Sequence, residues 1–442
     1  MRRLTFPRGG IVPPDRKHQT GRALLWNAAI PRTSIVPLLQ HSGEPAIACV
    51  SRMDRVREGM LVGRAASSRS ANVHAPIPGV VREIRPVVLP GGISCDAVVI
   101  DMDGEFDLLG KRAEVRDWQS CDRRTLSRLI AEHGVVDMDG SRLPMPLSYG
   151  RMDHRRCDTL ILNGCESEPY LSGDHRTMVE QVSSVLTGLE IVSRVTRPSR
   201  IVIAVESNKP DAISALRTAV RSSGLESHVV RLRVRYPQGD ERQLVKAVTG
   251  REIPSGGVAA DVGCMTLGVT TARAVYEAVV LGIPLIERVV TVAGRAIAEE
   301  ANVKVRIGTP VGDLIEECGG FRKTPMKVVM GGPMTGHTVT DLRTPITKGT
   351  RAVLALTAGE IRGARTLPCI QCGRCVTSCP MGLDPTRLYK LIEHGDLRRA
   401  ASEGLQDCTE CGACGYICPS RIPLVRQLRQ AKIRHGDGGS GE

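Results

Sequence analysis

"CIQCGRCVTSCP" spans residues 369–380, and "CTECGACGYICP" repeats the same design at residues 408–419, 39 positions further on (408 − 369). Each stretch reads C-x2-C-x2-C-x3-C-P, the bacterial ferredoxin pattern in which the fourth cysteine ligates the cluster of the other stretch. The spacing therefore predicts two 4Fe-4S clusters with crossed ligands. The first predicted ligand set is Cys369, Cys372, Cys375 and Cys418. The second predicted set is Cys408, Cys411, Cys414 and Cys379.

Glycine and proline recur in register in the two stretches. Gly373 and Gly412 lie between ligands, where a short flexible loop lets three thiolates grip one cluster. Pro380 and Pro419 turn the chain after the fourth cysteine, toward the partner cluster. Two alternatives explain the pattern less well, since zinc sites use separated CxxC pairs and disulfide frameworks belong to short secreted chains.

The length of the chain indicates the number of domains, and its cysteines indicate the cellular compartment. A chain of 442 residues holds about three domains of ordinary size. Seven of the 15 cysteines (15 − 8) lie outside the two stretches without paired spacing, which indicates a reducing, cytoplasmic compartment. The start "MRRLTFPRGGIVPPD" lacks the apolar segment of a signal peptide, and no apolar run approaches the ~20 residues that cross a bilayer. We therefore expect a protein that reaches a membrane only by docking on another component.

The formal net charge is +13, from 60 Lys and Arg against 47 Asp and Glu. Such a balance attracts nucleic acid, anionic lipid or an acidic protein, although interspersed charges of both signs also fit a solvated surface. Because aromatic residues make up 2% of the chain, there are few stacking platforms for single-stranded nucleic acid. We expect no nucleic-acid partner and favour an acidic electron carrier.

The pattern along the chain predicts a multidomain α/β and α+β protein. "GEPAIACVSRMDRVREGMLVGRA" and "NVHAPIPGVVREI" carry short β-branched runs broken by Gly and Pro, which predicts an all-β unit over roughly residues 38–105. This unit resembles a lipoyl-like barrel sandwich without the lysine that would carry a lipoyl group, so its predicted role is structural or docking. With the Pro- and Gly-rich start it makes up residues 1–115.

Strands and helices alternate after about residue 120, which predicts a Rossmann-like parallel α/β domain over residues 116–285. Asp122 is the predicted N-cap of its first helix, and Gly134 follows the end of that helix. Ligands of such sheets bind beyond the carboxyl ends of the strands, so the loop "NGCESEPYLSGD" after the strand "TLIL" is a candidate binding loop. The alternative interpretation of this loop is structural.

The remaining chain divides into three parts. Residues 286–358 alternate short strands with one short helix, as in a small α+β module. Residues 359–431 hold the cysteine stretches, and the intervening "PTRLYKLIEHGDLRRAASEG" is predicted to be helical. Residues 432–442 end in "GDGGSGE" and are predicted to be a flexible tail.

Several motifs occur in one order: "GGIVPPDRK", "HAPIPGVV", "ESEPYLSGDHR", "YPQGDERQLVKAVTGREIPSGG", "ERVVTVAG", "VVMGGPMTG" and the two cysteine stretches. With them the chain resembles the RnfC family, the C subunits of the Rnf ion-translocating electron-transport complex, over nearly its whole length. The resemblance implies a peripheral subunit on the cytoplasmic face of the cell inner membrane. Its partners would be the other subunits of the complex, which moves electrons between NADH and ferredoxin or flavodoxin.

The resemblance also implies cofactors and site residues. The α/β domain would be similar to the flavin and NADH subunit of respiratory complex I and would hold FMN, and residues 286–358 would be a β-grasp-like module. Asn163, Glu166 and Glu168 match the family's acidic loop, where such residues would hydrogen-bond flavin or ribose hydroxyls. In "YPQGDERQ", Gly239 is predicted to form a turn and Asp240 a helix cap, and this structural interpretation is an alternative to a role in cofactor binding.

One loop departs from the family pattern. The family's glycine-rich loop, close to G-L-G-G-A-G-F-P-T-H, is replaced by "DMDGSRLPMP" at residues 137–146, which keeps Gly140 as a candidate flavin contact. Asp137 and Asp139 place carboxylates where a phosphate needs N–H donors, and Arg142 replaces a glycine. A second difference is Leu267–Gly268, where the family has polar amide residues.

The predicted function is electron relay within an ion-translocating NADH:ferredoxin type of oxidoreductase. FMN would take hydride from NADH, and the clusters would pass single electrons onward. The alternatives are a two-cluster wire and assembly subunit without flavin, and a free-standing redox sensor. No residue is predicted to act as an acid, base or nucleophile, and the histidines show no metal-ligand spacing.

Overall fold

The computed structural model describes residues 4–150, 157–361, 363 and 365–438. The strands of its N-terminal part are β1 (Trp26–Asn27), β2 (Thr33–Pro37), β3 (Ile47–Ala48), β4 (Arg55–Val56), β5 (Leu61–Arg64), β6 (Val73–His74), β7 (Gly79–Leu89) and β8 (Ile93–Met102). Across the described ranges, every helix is too short or too polar to cross a bilayer.

Two antiparallel sheets form the N-terminal β unit, with strand orders β2-β8-β7-β4 and β3-β5-β6. Apolar side chains of both sheets share one core, which includes Val36, Val62, Val73, Val98 and Ile100. The predicted start at residue 38 is wrong, because β2 already pairs with β8 from Thr33 onward. Pro37 does not exclude this strand, since an edge strand tolerates proline.

The α/β part contains helices on both sides of a parallel sheet. Its elements are α1 (Arg123–Glu132), α2 (Met145–Gly150), β9 (Thr159–Gly164), α3 (Gly173–Glu180), α4 (Val182–Thr196), β10 (Arg200–Glu206), α5 (Pro210–Ser223), β11 (His228–Leu232), α6 (Glu241–Thr249), β12 (Cys264–Gly268) and α7 (Val269–Val280). Asp122 caps α1 by accepting the N–H of Thr125, and Gly134 follows with a φ of +66°, so this helix is confirmed.

The parallel sheet has the order β11-β10-β9-β12. Leu160, Leu162 and Ile203 face a core formed with α1, α4, α5 and α7. Ile161 and Val202, on the opposite face, pack with α6. The sheet is therefore buried on both faces, as expected for near-continuous apolar strands.

A six-stranded mixed sheet follows. Its further elements are β13 (Glu287–Ala293), β14 (Ala301–Arg306), α8 (Val311–Glu317), β15 (Lys327–Met330), β16 (His337–Val339) and β17 (Ala352–Leu356). The strand order is β1-β14-β13-β17-β15-β16, with β13 and β17 parallel at the centre. The edge strand β1 comes from the N-terminal segment, far away in the sequence.

Short helices carry the cysteine stretches: α9 (Arg374–Ser378), α10 (Pro385–Glu393), α11 (Leu397–Ser402), α12 (Ala413–Ile417) and α13 (Leu424–Gly438). The predicted intervening helix is two helices, because Gly395 adopts a φ of +77° between them. The prediction of a flexible tail is wrong for residues 432–438, which continue α13. The rest of that prediction, residues 439–442, lies outside the described residues.

Residues 4–27 run across three other parts of the molecule. Leu4 bridges Leu232 next to the parallel sheet, and β1 pairs with β14. Between them the N–H of Gly10 donates to the carbonyl of Ser378, beside the first cysteine stretch. This segment therefore connects the parallel sheet, the cysteine loops and the mixed sheet.

Candidate iron–sulfur centres and cofactor cleft

The two cysteine loops follow the same backbone path. Left-handed residues recur at matching places: Gln371 and Glu410, Gly373 and Gly412, and Gly382 and Arg421. The two central glycines have φ angles of +68° and +83°, in the left-handed region that glycine adopts without steric cost. A repeated backbone path presents equivalent cysteines in equivalent directions, and α9 packs against α12.

The second predicted ligand set surrounds one enclosed space. Cys379, Cys408, Cys411 and Cys414 line the same cavity, which is closed by apolar side chains of α10 and α13. Cys379 comes from the first stretch and the other three from the second, as the crossed assignment requires. The tertiary structure thus brings together cysteines that lie up to 35 positions apart (414 − 379).

The thiols of this set are desolvated. Burial raises the pKa of Cys379, Cys408 and Cys414, and it raises the pKa of Cys411 to about 12. Cys379 acts on the pKa of both Cys408 and Cys414, which places these thiols near one another. Such thiols are protonated until iron displaces the protons, since metal binding needs thiolates.

The first predicted set is half buried and half exposed. Cys375 and Cys418 pack together with Ile422 and Leu424, whereas Cys369 and Cys372 are exposed. Two hydrogen bonds of Ser420 hold the chain before Cys369 against the chain after Cys418: its carbonyl accepts the N–H of Leu367 at 2.9 Å, and its hydroxyl donates to the carbonyl of Pro368 at 2.8 Å. This places the two ends of the predicted set beside each other.

Both sets consist of four thiols, the donor set of a 4Fe-4S cluster, so the residues present fit that group. Within the part of the chain that the structure describes, no three His, Cys, Asp or Glu side chains converge on a single metal ion. A cubane cluster does not need such convergence, because each cysteine binds a different corner iron. The remaining seven cysteines lie apart from both sets and are free thiols.

A cleft lies beyond the carboxyl ends of β9 and β12. These two strands flank the point where the strand order reverses, which is the usual ligand position of such a sheet. Asn163 on β9 pairs in register with Gly268 on β12 at this edge. The adjoining cavity of about 560 Å³ is lined by Asp139, Gly140 and Arg142, by Glu168, and by glycine-rich loops of the mixed sheet.

Asn163 and Glu166 have internal partners at this edge. The amide of Asn163 donates to the carbonyl of Gly239 at 2.9 Å and accepts the N–H of Cys165 at 3.1 Å. The carboxylate of Glu166 accepts the N–H groups of Asp174 and His175, at 3.0 and 3.3 Å, in the first turn of α3. Both side chains hold the loop in place.

Glu168 is held by the mixed-sheet region. Its carboxylate accepts the N–H of Met334 at 3.0 Å and the hydroxyl hydrogen of Thr335. A Cβ added to Gly332 would lie 2.2 Å from this carboxylate, so only glycine permits the approach. Burial raises the pKa of Glu168.

The loop of residues 137–144 closes on its own carboxylate. Asp137 accepts the N–H groups of Asp139, Gly140 and Ser141, at 3.4, 3.3 and 2.6 Å, and the hydroxyl hydrogen of Ser141 at 2.8 Å. Arg142, at a glycine position of the family loop, adopts a φ of +56°. A residue with a Cβ therefore adopts the left-handed region at this position.

Asp139 reaches across to the start of α7. Its carboxylate accepts the hydroxyl hydrogen of Thr270 at 2.8 Å, and a Cβ on Gly268 would lie 2.0 Å from its Oδ2. The Nε of Arg351 is 3.6 Å from Asp139, and its Nη2 is 2.9 Å from Asp174. Burial alone lowers the pKa of Arg351, but these carboxylates raise it above its usual value. Sequence reasoning missed Arg351 because no motif marks it.

Four family models match successive parts of the chain. They are described as RnfC barrel sandwich hybrid domain (residues 4–105), Nuo51 FMN-binding domain (130–277), SLBB domain (289–338) and 4Fe-4S dicluster domain (364–419). The matches follow the order of the two β sheets, the parallel sheet, the mixed sheet and the cysteine loops.

Curated relatives match nearly the whole chain. The C subunit of the proton-translocating ferredoxin:NAD(+) oxidoreductase complex of Clostridium ljungdahlii is 38% identical, over 98% of this chain and 95% of the relative. The C subunit of the ion-translocating oxidoreductase complex of Rhodobacter capsulatus is 40% identical, over 96% of this chain and 82% of its own. The C subunit of the Na(+)-translocating ferredoxin:NAD(+) oxidoreductase complex of Acetobacterium woodii is 36% identical, over 96% of both chains.

Among solved structures, a chain of the NAD+-reducing [NiFe]-hydrogenase in the H2-reduced state is similar in fold. The TM-score is 0.52 at 17% identity, over 70% of this chain and 62% of that chain. The fold and the two cysteine sets define a multidomain redox protein with a 4Fe-4S dicluster domain. Within that class, the chain belongs to the RnfC family, the C subunits of ion-translocating oxidoreductase complexes.

The residues present do not fit FMN at the predicted loop. A flavin phosphate needs free N–H donors or unpaired cations. Asp137 already accepts the loop N–H groups, and Asp139 and Asp174 already pair with Arg351.

Proposed function

We propose that the chain is an electron-transfer subunit of an Rnf-type ion-translocating ferredoxin:NAD(+) oxidoreductase complex. The observation that carries the proposal is the common cavity of Cys379, Cys408, Cys411 and Cys414, in a chain of the RnfC family. The clusters would supply single-electron transfer. The partners would be the other subunits of the complex, with ferredoxin or flavodoxin as its carrier, and the location would be the cytoplasmic face of the inner membrane.

We infer domains over residues 1–115, 116–285, 286–358 and 359–431. The boundaries fall between the β unit, the parallel sheet, the mixed sheet and the cysteine loops, although β1 of the first range pairs with β14 of the third. The third domain is β-grasp-like, which is supported by the order β14-β13-β17-β15 around a central parallel pair and by α8 between its second and third strands.

The protein's own residues position the cysteines and limit the access of water to them. Leu388 and Leu428 close the cavity of the second set. Tyr236, next to the parallel sheet, donates its hydroxyl hydrogen to the carbonyl of Cys411, and Gln243 donates to the sulfur of Met381. Burial and hydrogen bonds around the sulfurs are the means by which a protein sets cluster potentials.

Paired cysteine substitutions test the crossed ligand sets. In anaerobically reconstituted protein, Cys379→Ala/Cys408→Ala removes two ligands of one predicted cluster, so about four of about eight iron atoms should remain. Cys379→Ala/Cys375→Ala removes one ligand from each cluster, so little iron should remain. If each stretch instead held its own cluster, the two results would be exchanged.

Iron analysis and electron paramagnetic resonance of the dithionite-reduced protein measure these outcomes. Cys318→Ala is the matched control, because Cys318 is buried in the mixed-sheet core and away from both sets. It should leave the iron content unchanged. Retention of full iron by both double variants would contradict the proposed function.

A further inference from the structure

The start of α7 and the loop of residues 137–144 form one polar centre. Gly268 is the N-cap residue of α7 and offers no side chain to the first turn of the helix. The carboxylate of Asp139 fills that position by contacting Gly268 and Thr270. A negative charge at a helix N-terminus is stabilised by the helix dipole, which is also the reason that phosphates bind there.

Asp137 occupies the second part of the position where an anion would bind, which is the set of backbone N–H groups in the loop. Successive backbone N–H groups of a turn form a concave anion site. In this loop the N–H groups of Asp139, Gly140 and Ser141 all point to the Asp137 carboxylate. The donors are therefore used within the loop itself.

One of the neighbouring cations, Arg351, is also paired with acidic side chains. Arg351 lies between Asp139 and Asp174, whose side chains are both almost fully buried. A phosphate entering this centre would meet two carboxylates, Arg351, which already has two acidic partners, and Arg142, whose charge is offset by Asp137. Repulsion between like charges at short distance in a partly desolvated cleft opposes such binding.

We propose that Asp137 and Asp139 act as an internal anion that replaces a phosphate, so that this FMN-type domain keeps its fold without holding FMN. Electron transfer by the chain then depends on its clusters alone, which rests on the proposed function. Electrons would reach the cysteine loops from another subunit of the complex. The domain serves as a structural scaffold, because its own carboxylates occupy the position of the phosphate.

Flavin binding by the reconstituted full-length chain tests the proposal. FMN and riboflavin are titrated, and binding is read from quenching of flavin fluorescence and from flavin retained on ultrafiltration. The expected result is no FMN retention by the unmodified chain and no preference for FMN over riboflavin. Tight one-to-one FMN binding, with a preference over riboflavin, would overturn the proposal.

The variant Asp137→Gly/Asp139→Gly tests whether the two carboxylates are the reason that FMN does not bind. It should bind FMN at least tenfold more tightly than the unmodified chain, because it releases the loop N–H groups and the α7 terminus and removes one of the two acidic partners of Arg351. The control Asp103→Gly/Asp107→Gly changes the net charge equally at two exposed positions of the β unit. If the first variant retains its clusters but gains no FMN binding over this control, the carboxylates are not the cause and the proposal fails.

The outcome is separable from that of the proposed function. Iron content and bleaching by dithionite report on the clusters whether or not flavin binds. If the chain has full iron, binds FMN and is bleached by NADH, only the proposal that Asp137 and Asp139 replace the phosphate is overturned. A chain without clusters would overturn the proposed electron transfer.

Discussion

At the scale of single residues, the backbone of Arg142 is strained. Arg142 stands at a position where the glycine-rich loop of the family has glycine. Its φ of +56° lies in the left-handed region, which costs a residue with a Cβ about 1–2 kcal/mol. The hydrogen bond from the N–H of Ser42 to the carbonyl of Arg142 holds this conformation.

We predict that Arg142→Gly is at least as stable as the unmodified chain and that Arg142→Val is less stable than Arg142→Gly by about 2 kcal/mol. Glycine adopts the left-handed region without steric cost, whereas a β-branched residue is strained there. Denaturant unfolding measures the difference. The same two substitutions at Arg112, which lacks a left-handed φ, should not favour glycine, and equal stability of the two Arg142 variants would refute the strain.

Gly9 is a positioning residue for the second ligand set. It has a φ of +57°, and a Cβ at this position would lie 2.2 Å from the carbonyl oxygen of Cys379. We therefore predict that Gly9→Ala displaces Cys379 and lowers the iron content from about eight to about four atoms. Gly359→Ala is the control, because open space surrounds Gly359. Unchanged iron and spectra in Gly9→Ala would show that the loop absorbs the displacement.

At the scale of elements, a buried ion pair joins the end of β10 to the start of α5. The Nζ of Lys209 is 2.7 Å from Oε2 of Glu206, and the two side chains are 2% and 1% exposed. The same carboxylate oxygen accepts the N–H of Glu166, which lies in the candidate loop after β9. The pair therefore ties two neighbouring strand ends together.

We predict that Lys209→Met lowers the free energy of unfolding by about 3–5 kcal/mol, because it leaves a buried carboxylate without its partner. The double variant Lys209→Met/Glu206→Gln should recover part of the loss. Arg343→Met breaks an exposed pair with Asp341 and should cost less than about 1 kcal/mol. Equal losses in Lys209→Met and Arg343→Met, measured in denaturant, would contradict the role of burial.

At the scale of the whole molecule, Lys348 joins three regions, and among the described residues its Nζ contacts carbonyl groups rather than a carboxylate. Its Nζ donates to the carbonyls of Asn72 and Gly134, each at 2.7 Å, and its N–H donates to Gln40 at 3.0 Å. These partners belong to the β unit and to the end of α1. Burial lowers the pKa of Lys348 to about 7.

This pKa predicts a stability that rises with pH. Between about pH 7 and 10.5 the unfolded chain keeps the Lys348 proton and the folded chain does not, so raising the pH favours folding by up to a few kcal/mol. Below pH 7 the lysine is charged in both states and the cost of burial is fully present. Lys348→Met should flatten the rise in unfolding midpoint over this window. An unchanged slope in the variant would assign the pH dependence to other groups.

The sequence predicted those features that depend on local patterns. Asp122 and Gly134 delimit α1 because capping acts within a few residues, and the βα alternation predicted the parallel sheet because buried strands and amphipathic helices have distinct periods. The 4Fe-4S dicluster domain was predictable because ferredoxin spacing marks it, and the crossed cysteine sets stay a prediction of that spacing. The extra strand β2 and the helical residues 432–438 were not, since their partners decide their conformation.

The sequence by itself thus determined the family and the order of the matched domains, and it predicts the two cysteine sets, because spacing and periodicity are properties of the chain. Only the tertiary structure decided that Asp139 meets Thr270, 131 positions away, and that Arg351 lies between Asp139 and Asp174. It also decided that residues 4–27 connect three regions. Such partners are chosen by proximity after folding, and no local pattern specifies which distant donor a carboxylate will find.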